Sequence, residues 1–160
     1  MDAMARIYRE AKENALGRRC LVVDDDTKIM HLVADMLAEL GYQVDMAENG
    51  SKALQKIRVR PYDIVLSDLE MPLVNGFLLA SRIKSHSSDI RTIIMTGRCH
   101  AEVLGLMTPA IVDAWLFKPF NLDELCRVLE DLWEPKSLRS AAIYNQRKTV
   151  QDSRFPPAEI

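Results

Sequence analysis

Short apolar runs alternate with stretches of helical spacing along most of the chain. Cys20-Leu21-Val22-Val23 is a buried-strand run that stops at Asp24-Asp25-Asp26. Ile29, Leu32, Val33, Met36, Leu37 and Leu40 then recur at helical spacing, and Gly41 ends them. Tyr42 to Met46 reads as a second strand, and Ala53, Leu54 and Ile57 mark a short helix before Pro61. Ile64-Val65-Leu66-Ser67-Asp68 is a third apolar run ending in an acid. A loop at Pro72, Asn75 and Gly76 follows it, then a helix from Phe77 to Lys84. Thr92-Ile93-Ile94-Met95-Thr96 predicts a fourth strand, with a weaker helix within Glu102–Met107. Ala114-Trp115-Leu116-Phe117 predicts a fifth strand that runs into Lys118-Pro119, and Leu122, Leu125, Val128, Leu129 and Leu132 a last helix.

Five strands alternating with five helices imply an α/β fold, a parallel sheet with helices on both faces. Ligands of such sheets bind beyond the carboxyl ends of the strands, near the switch in strand order. Strand one ends in Asp24 and Asp25, strand three in Asp68, strand four in Thr96 and strand five in Lys118. Polar residues from four strands therefore share one edge of the sheet.

Composition changes this picture little. The 160 residues are 48% hydrophobic and 28% charged, ordinary for a globular domain. The net charge of −2 gives no reason to expect direct nucleic-acid binding or an anionic membrane as partner. Its distribution is more telling. Residues 1–19 and 134–160 each carry five basic and three acidic groups, while residues 20–133 carry eleven basic and seventeen acidic ones. The expected organisation is an N-terminal helical extension over 1–18, one domain over 19–133 and a partly helical or disordered tail over 134–160. Met4, Ile7, Tyr8, Ala11 and Ala15 are spaced for the extension's helix, and Leu138 to Gln146 for two turns in the tail. Cys20, Cys99 and Cys126 lie far apart with no CxxC pair, and no apolar run approaches the roughly 18 residues of a spanning helix. With no secretory segment in the charged first twenty residues, a reducing cytoplasm is the expected location.

Three converging carboxylates repel one another unless a cation compensates them. Oxygen ligands with open positions favour magnesium, which also binds phosphate. Lys118 supplies a point charge and Thr96 a hydroxyl for phosphoryl oxygens, so the set suits a phosphoryl group held beside Mg²⁺. Asp24-Asp25-Asp26 also reads as an acidic turn that caps a helix, with Asp26 or Thr27 as the cap.

Leu21-Val22-Val23-Asp24-Asp25-Asp26, then Ser67-Asp68-Leu69-Glu70-Met71-Pro72 with Gly76, then Met95-Thr96-Gly97, then Phe117-Lys118-Pro119-Phe120, resemble the receiver domain of bacterial response regulators. The likeness spans about residues 19–133. It implies a flavodoxin-like strand order of 2-1-3-4-5 and a role in a two-component phosphorelay, of the stand-alone chemotaxis type. Asp68 would accept a phosphoryl group from a sensor histidine kinase or a histidine phosphotransfer protein. Asp25, Asp68 and the Glu70 backbone carbonyl would ligate Mg²⁺ (or Mn²⁺), and Asp24 would act through a coordinated water. Lys118 and Thr96 would contact the phosphoryl oxygens, Gly97 would leave room for them, and the bond before Pro119 would be cis. Activity would be limited to self-phosphorylation and self-dephosphorylation.

The resemblance also implies a switch. Trp115 occupies an aromatic position that turns inward as the Thr96 hydroxyl moves, reshaping the face made by the fifth strand and its flanking helices. Indole is bulkier than the usual ring, which makes the inward state harder to reach. Glu70 and Arg98, each two residues beyond a site residue, would tune acyl-phosphate hydrolysis, and an ion pair between them across the site mouth is expected. Two departures stand out: Ile111-Val112-Asp113-Ala114 replaces a Gly-Ala-Asp-Asp-like run, and Gly105 and Pro109 interrupt the helix before strand five.

A haloacid-dehalogenase-type phosphatase acting through Asp24 is the competing enzyme reading, but Thr27 falls one position early for its motif and no cap domain fits. A phosphorylation-independent interaction module is a third reading, and a flavin module lacks its phosphate loop. The 27 residues after the last core helix cannot hold a helix-turn-helix domain. The expected output is protein contact with an unidentified partner or onward phosphate relay, from a stand-alone chain or a piece of a larger regulator. The extensions are candidates for homodimerisation.

Overall fold

The computed structural model describes residues 2–134. Helix α1 (Ala3–Ala15) precedes β1 (Arg19–Val23), α2 (Thr27–Glu39), β2 (Gln43–Ala47), α3 (Gly50–Val59) and β3 (Ile64–Asp68). Then come α4 (Gly76–His86), β4 (Arg91–Thr96), α5 (His100–Val103) with a 3₁₀ turn at Leu104–Leu106, β5 (Ala114–Phe117) and α6 (Leu122–Trp133). The tail expected over 134–160, with its two helical turns, lies outside the described residues except for Glu134. Among the described residues no helix is long and apolar enough to cross a membrane.

All five strands are parallel, in the order β2-β1-β3-β4-β5. The continuous apolar runs occupy the central strands because helices cover both sheet faces there; every residue of β3 is buried. Helices α1, α2 and α6 share one core with one sheet face, and α3 and α4 form a second core with the other. Asp26, Asn49, Asn75 and Asn121 cap α2, α3, α4 and α6, each accepting from a backbone N–H of the first turn. These caps start the helices just beyond the strand ends and leave Asp24 and Asp25 free of that duty.

The helix expected within Glu102–Met107 is instead a single α turn at His100–Val103 that tightens into the 3₁₀ turn. Gly105 is a poor helix former and Pro109 cannot extend a helix, so the segment stops short. Trp115 is only 3% exposed and packs beneath this segment with Leu69, Ala80, Ile94 and Val103.

The amino edge of the sheet is held by a buried ion cluster. Asp113 Oδ2 accepts from Lys84 Nζ at 2.6 Å and from Thr92 N at 2.9 Å, with Arg91 3.8 Å from its other oxygen. Lys84 also donates to the Ile90 carbonyl at 2.7 Å. One carboxylate thus ties α4, β4 and β5 together.

Helix α1 seats Ala11 and Ala15, both fully buried, in the core shared with α2 and α6. Tyr8 Oη donates to Glu39 of α2 at 3.2 Å, and the Arg18 guanidinium lies 3.6 Å over the Trp133 ring of α6. Burial, then the hydrogen bond and charge of Glu10, push the Glu130 carboxyl up to about 7, with Asp131 adding repulsion and Arg6 opposing it. A carboxyl with a raised folded-state pKa favours the fold while protonated, and that advantage is lost as pH rises from its ordinary value of 4.5 through about 7. Glu130→Gln is therefore expected to raise the Tm at pH 8 and to flatten its decline between pH 5 and 8. Thermal melts across that range check this; an unchanged slope would refute it.

Candidate phosphoryl and metal site

Each site residue is placed by backbone bonds at a strand's carboxyl end. Past β1, Asp24 N donates to the Ala47 carbonyl at 3.2 Å, and Asp24 Oδ1 accepts from Asp26 N at 2.9 Å, an Asx turn. The next residue, Asp25, is exposed. Asp68 closes β3, where Leu69 N donates to Met95 O at 2.8 Å and Gly76 N to Leu69 O at 2.9 Å. A Cβ on Gly76 would fall on the Asp68 carbonyl oxygen, so only glycine lets the loop return this close to the strand. Lys118 N donates to Thr96 O at 2.8 Å, and the Lys118–Pro119 peptide is cis.

These placements bring one oxygen from each of Asp24, Asp25 and Asp68 within 4.8 Å of one another. Lys118 Nζ reaches the same point, 2.9 Å from Asp68 Oδ1 and 3.3 Å from Asp24 Oδ2. Burial raises the Asp24 carboxyl above its ordinary value, ahead of the lowering effects of the Asp26 N–H and Lys118. Burial likewise raises Asp68; Lys118 opposes it, and the Asp24 and Asp25 charges add to it. Burial works against the Lys118 charge, but Asp68 and then Asp24 outweigh it and leave its pKa raised. One lysine thus bridges two of three clustered carboxylates, which leaves the cluster short of positive charge. Such an all-oxygen donor set fits a hard divalent cation.

Thr96 is fully buried beside this cluster, its Oγ1 accepting from Arg98 N at 3.0 Å. A Cβ on Gly97 would meet nothing within 4 Å, so that position borders open space. Glu70 and Arg98 form an ion pair with both side chains half exposed. The pair joins the β3–α4 loop to the segment after β4 and lines a groove of about 380 Å³ with Pro72, Asn75 and Leu106. Trp115 lies apart from the carboxylates, in the third apolar cluster.

Sequence reasoning passed over Leu73. This residue has φ 67° and is 100% exposed, and Val74 N donates to Pro72 O at 2.8 Å across it. A γ-turn with positive φ at its centre is rare and strained, and for a leucine it costs roughly 1–2 kcal/mol. The signal in the sequence is an apolar side chain at the centre of a turn that glycine would occupy without strain.

A family model for the response regulator receiver domain matches residues 20–130. The sensor histidine kinase RcsC of Salmonella typhi is 37% identical over 109 residues, which are 68% of this chain and 12% of RcsC. The crystal structure of the response regulator TrrA of Thermotoga maritima in complex with Mg²⁺-BeF has a TM-score of 0.66 and 36% identity, covering 72% of this chain and 98% of that one. The complex of histidine kinase ThkA with TrrA gives a TM-score of 0.65 and 37% identity, covering 73% of this chain and 99% of the matched one. The chain spans only a fraction of the curated relatives it matches, from 12% of RcsC to 48% of a streptococcal regulator. A profile match over most of the domain, the strand order and the clustered acids agree, and the chain belongs to the response regulator receiver family.

Proposed function

We propose that Asp68 is the phosphoacceptor of this receiver, taking its phosphoryl group from a histidine kinase or phosphotransfer protein and passing the signal on by protein contact. The observation that carries this reading is the bridge from Lys118 Nζ to Asp68 Oδ1 and Asp24 Oδ2. It holds one oxygen of Asp68 and leaves Oδ2 for attack. Asp68 Oδ2 forms the new O–P bond while the P–N bond of the donor phosphohistidine breaks, its electron pair staying on the imidazole nitrogen, which takes up a proton from solvent. Lys118 and the Thr96 hydroxyl take up charge on the transferring oxygens, and Gly97 leaves them room. Asp24, Asp25 and Asp68, with the Glu70 carbonyl, would hold Mg²⁺ (Mn²⁺ being the substitute ion), which when bound neutralises phosphoryl charge. Within the domain of residues 19–133, Thr96 and Trp115 are the proposed switch pair.

Asp24 suits the competing nucleophile role poorly, because it is 1% exposed and both its oxygens are engaged. Treatment with acetyl phosphate and Mg²⁺ followed by peptide mass mapping tests the assignment. The label is expected on the peptide holding Asp68; a label on Asp24 would sink it.

The Glu70–Arg98 pair is proposed to screen the acyl phosphate from water. Arg98→Ala should shorten the phosphorylated lifetime, on the order of threefold to tenfold, with the Tm nearly unchanged because exposed ion pairs contribute little. Following loss of label after removal of the donor measures this, and an unaltered lifetime would rule the screen out.

A further inference from the structure

We propose that α1 is a pH-sensitive strap over the flank formed by α2 and α6, held closed by a proton shared between Glu10 and Glu130 and loosened when that proton passes to water. The inference is independent of the chemistry at Asp68. Little apolar surface fixes the helix in place. Of its residues only Ala11 and Ala15 are fully buried, and both are small; Ile7 and Tyr8 pack half-buried beside them. The side-chain ties are peripheral, Tyr8 Oη donating to Glu39 of α2 and Arg127 Nη2 of α6 donating to Met4 Sδ at 3.4 Å. The joint to β1 is free to bend. Gly17 has φ 74°, an added Cβ there would meet nothing within 4 Å, and Leu16 before it is exposed. Strand β1 is anchored separately by its pairing with β2 and β3, so α1 can swing out while the sheet stays intact. An element with few buried apolar contacts and such a joint opens by itself, ahead of global unfolding.

Glu10 of α1 and Glu130 of α6 are hydrogen-bonded carboxyl to carboxyl across the interface. Two carboxylates can only accept, so this bond exists only while one of the pair holds a proton. Little positive charge is at hand to replace that proton. Arg6 of α1 lies 3.8 Å from Glu10 with its side chain largely exposed, and Arg127 of α6 is turned to Met4. Lys12 of α1 lies over the Tyr8 ring, 4.8 Å from its centroid. Negative charge is plentiful: Asp131 of α6 repels Glu130 and is itself repelled by Glu134, and from α2 Glu39 adds a carboxyl held by Tyr8. The charges of Glu39 and Glu130 both bear on the buried Cys126. The direction of the pH effect follows. The Glu130 carboxyl stands at about 7 with α1 in place and falls toward its ordinary 4.5 when α1 swings away. Protonation therefore favours the closed strap in full below that ordinary value, and the advantage is lost as pH rises through about 7. Two facing carboxylates then push α1 from α6.

Amide hydrogen exchange read by mass spectrometry on the full chain tests this, with each rate divided by that of an unstructured peptide at the same pH. Peptides of α1 report the strap, and peptides of β3 report global unfolding. In the wild type, α1 protection is expected to fall roughly tenfold between pH 5 and pH 8, while β3 loses much less. Glu130→Gln and Glu10→Gln each supply an amide that donates to the remaining carboxylate at every pH. Both variants should hold α1 protection level across the range, and either one that folds suffices for the comparison. Equal α1 protection at the two pH values in the wild type overturns the proposal. So does a loss that β3 shares in full, because the helix would then not open alone. A loss that persists undiminished in the glutamine variants overturns it too, because the proton would then lie elsewhere.

Discussion

Asp68→Asn is expected to take no phosphoryl group from acetyl phosphate and, at neutral pH, to melt above the wild type. Loss of labelling follows because an amide oxygen is not a competent nucleophile here. The gain in stability follows from crowding. Burial and the charges of Asp24 and Asp25 raise the Asp68 carboxyl, so the fold disfavours its ionised form more than water does. Removing that charge should add about 1 kcal/mol, or about 2–4 °C in Tm. The sign of the pH effect is fixed by the same shift. With Asp68 and Asp24 both raised, the wild type loses stability as pH climbs through their folded-state values. The advantage of Asp68→Asn should therefore be larger at pH 7 than at pH 4. Mg²⁺ should reverse the ranking: at a hundredfold excess over its dissociation constant it adds about 2.7 kcal/mol to the wild type, and much less to the variant. Intact-mass spectrometry and calorimetry with and without Mg²⁺ read all of this. A labelled variant, or one that melts lower without Mg²⁺, would show that Asp68 is not the strained acceptor.

Asp113→Ala is expected to cause the largest loss of stability, about 3–5 kcal/mol. Asp113 is 2% exposed and Lys84 12%, so removing the acid leaves an ammonium group largely out of water with only the Ile90 carbonyl to meet it. The Thr92 N–H loses its acceptor as well. A fall in Tm of about 10 °C is the corresponding reading. Combining it with Lys84→Met should recover much of the loss, because the pair, not either charge alone, is what the interior accommodates. Labelling of Asp68 should persist at temperatures where the variant is folded, since the cluster sits at the opposite edge of the sheet. A drop of less than about 2 °C in thermal melts would contradict the role assigned to Asp113.

The parts of the fold visible in the sequence are those that local pattern dictates. Cys20–Val23, Ile64–Asp68 and Thr92–Thr96 read as strands because burial on both faces demands unbroken apolar runs. The acids and the lysine at their ends could be assembled into one site because parallel strands all end on one edge. The Glu70–Arg98 pair was expected only from the family resemblance, which singles out the positions two beyond Asp68 and Thr96. The remainder depends on partners far apart in the chain. Nothing near Asp113 announces that Lys84, 29 residues away, will meet it. That α5 ends after one turn is a competition between Gly105, Pro109 and the packing beneath them, which apolar spacing alone does not decide. Leu73 looks like a surface residue until its backbone angle is known.

Helix α1 changes what counts as the edge of this protein. The family match begins at Cys20, yet Ala11 and Ala15 are as inaccessible as any residue of the central strands. A cut at the family boundary would bare the apolar strip of α6 and α2 that these alanines cover, and would uncover Trp133 by removing Arg18. A fragment trimmed to residue 20 is therefore expected to present an apolar flank suited to self-association.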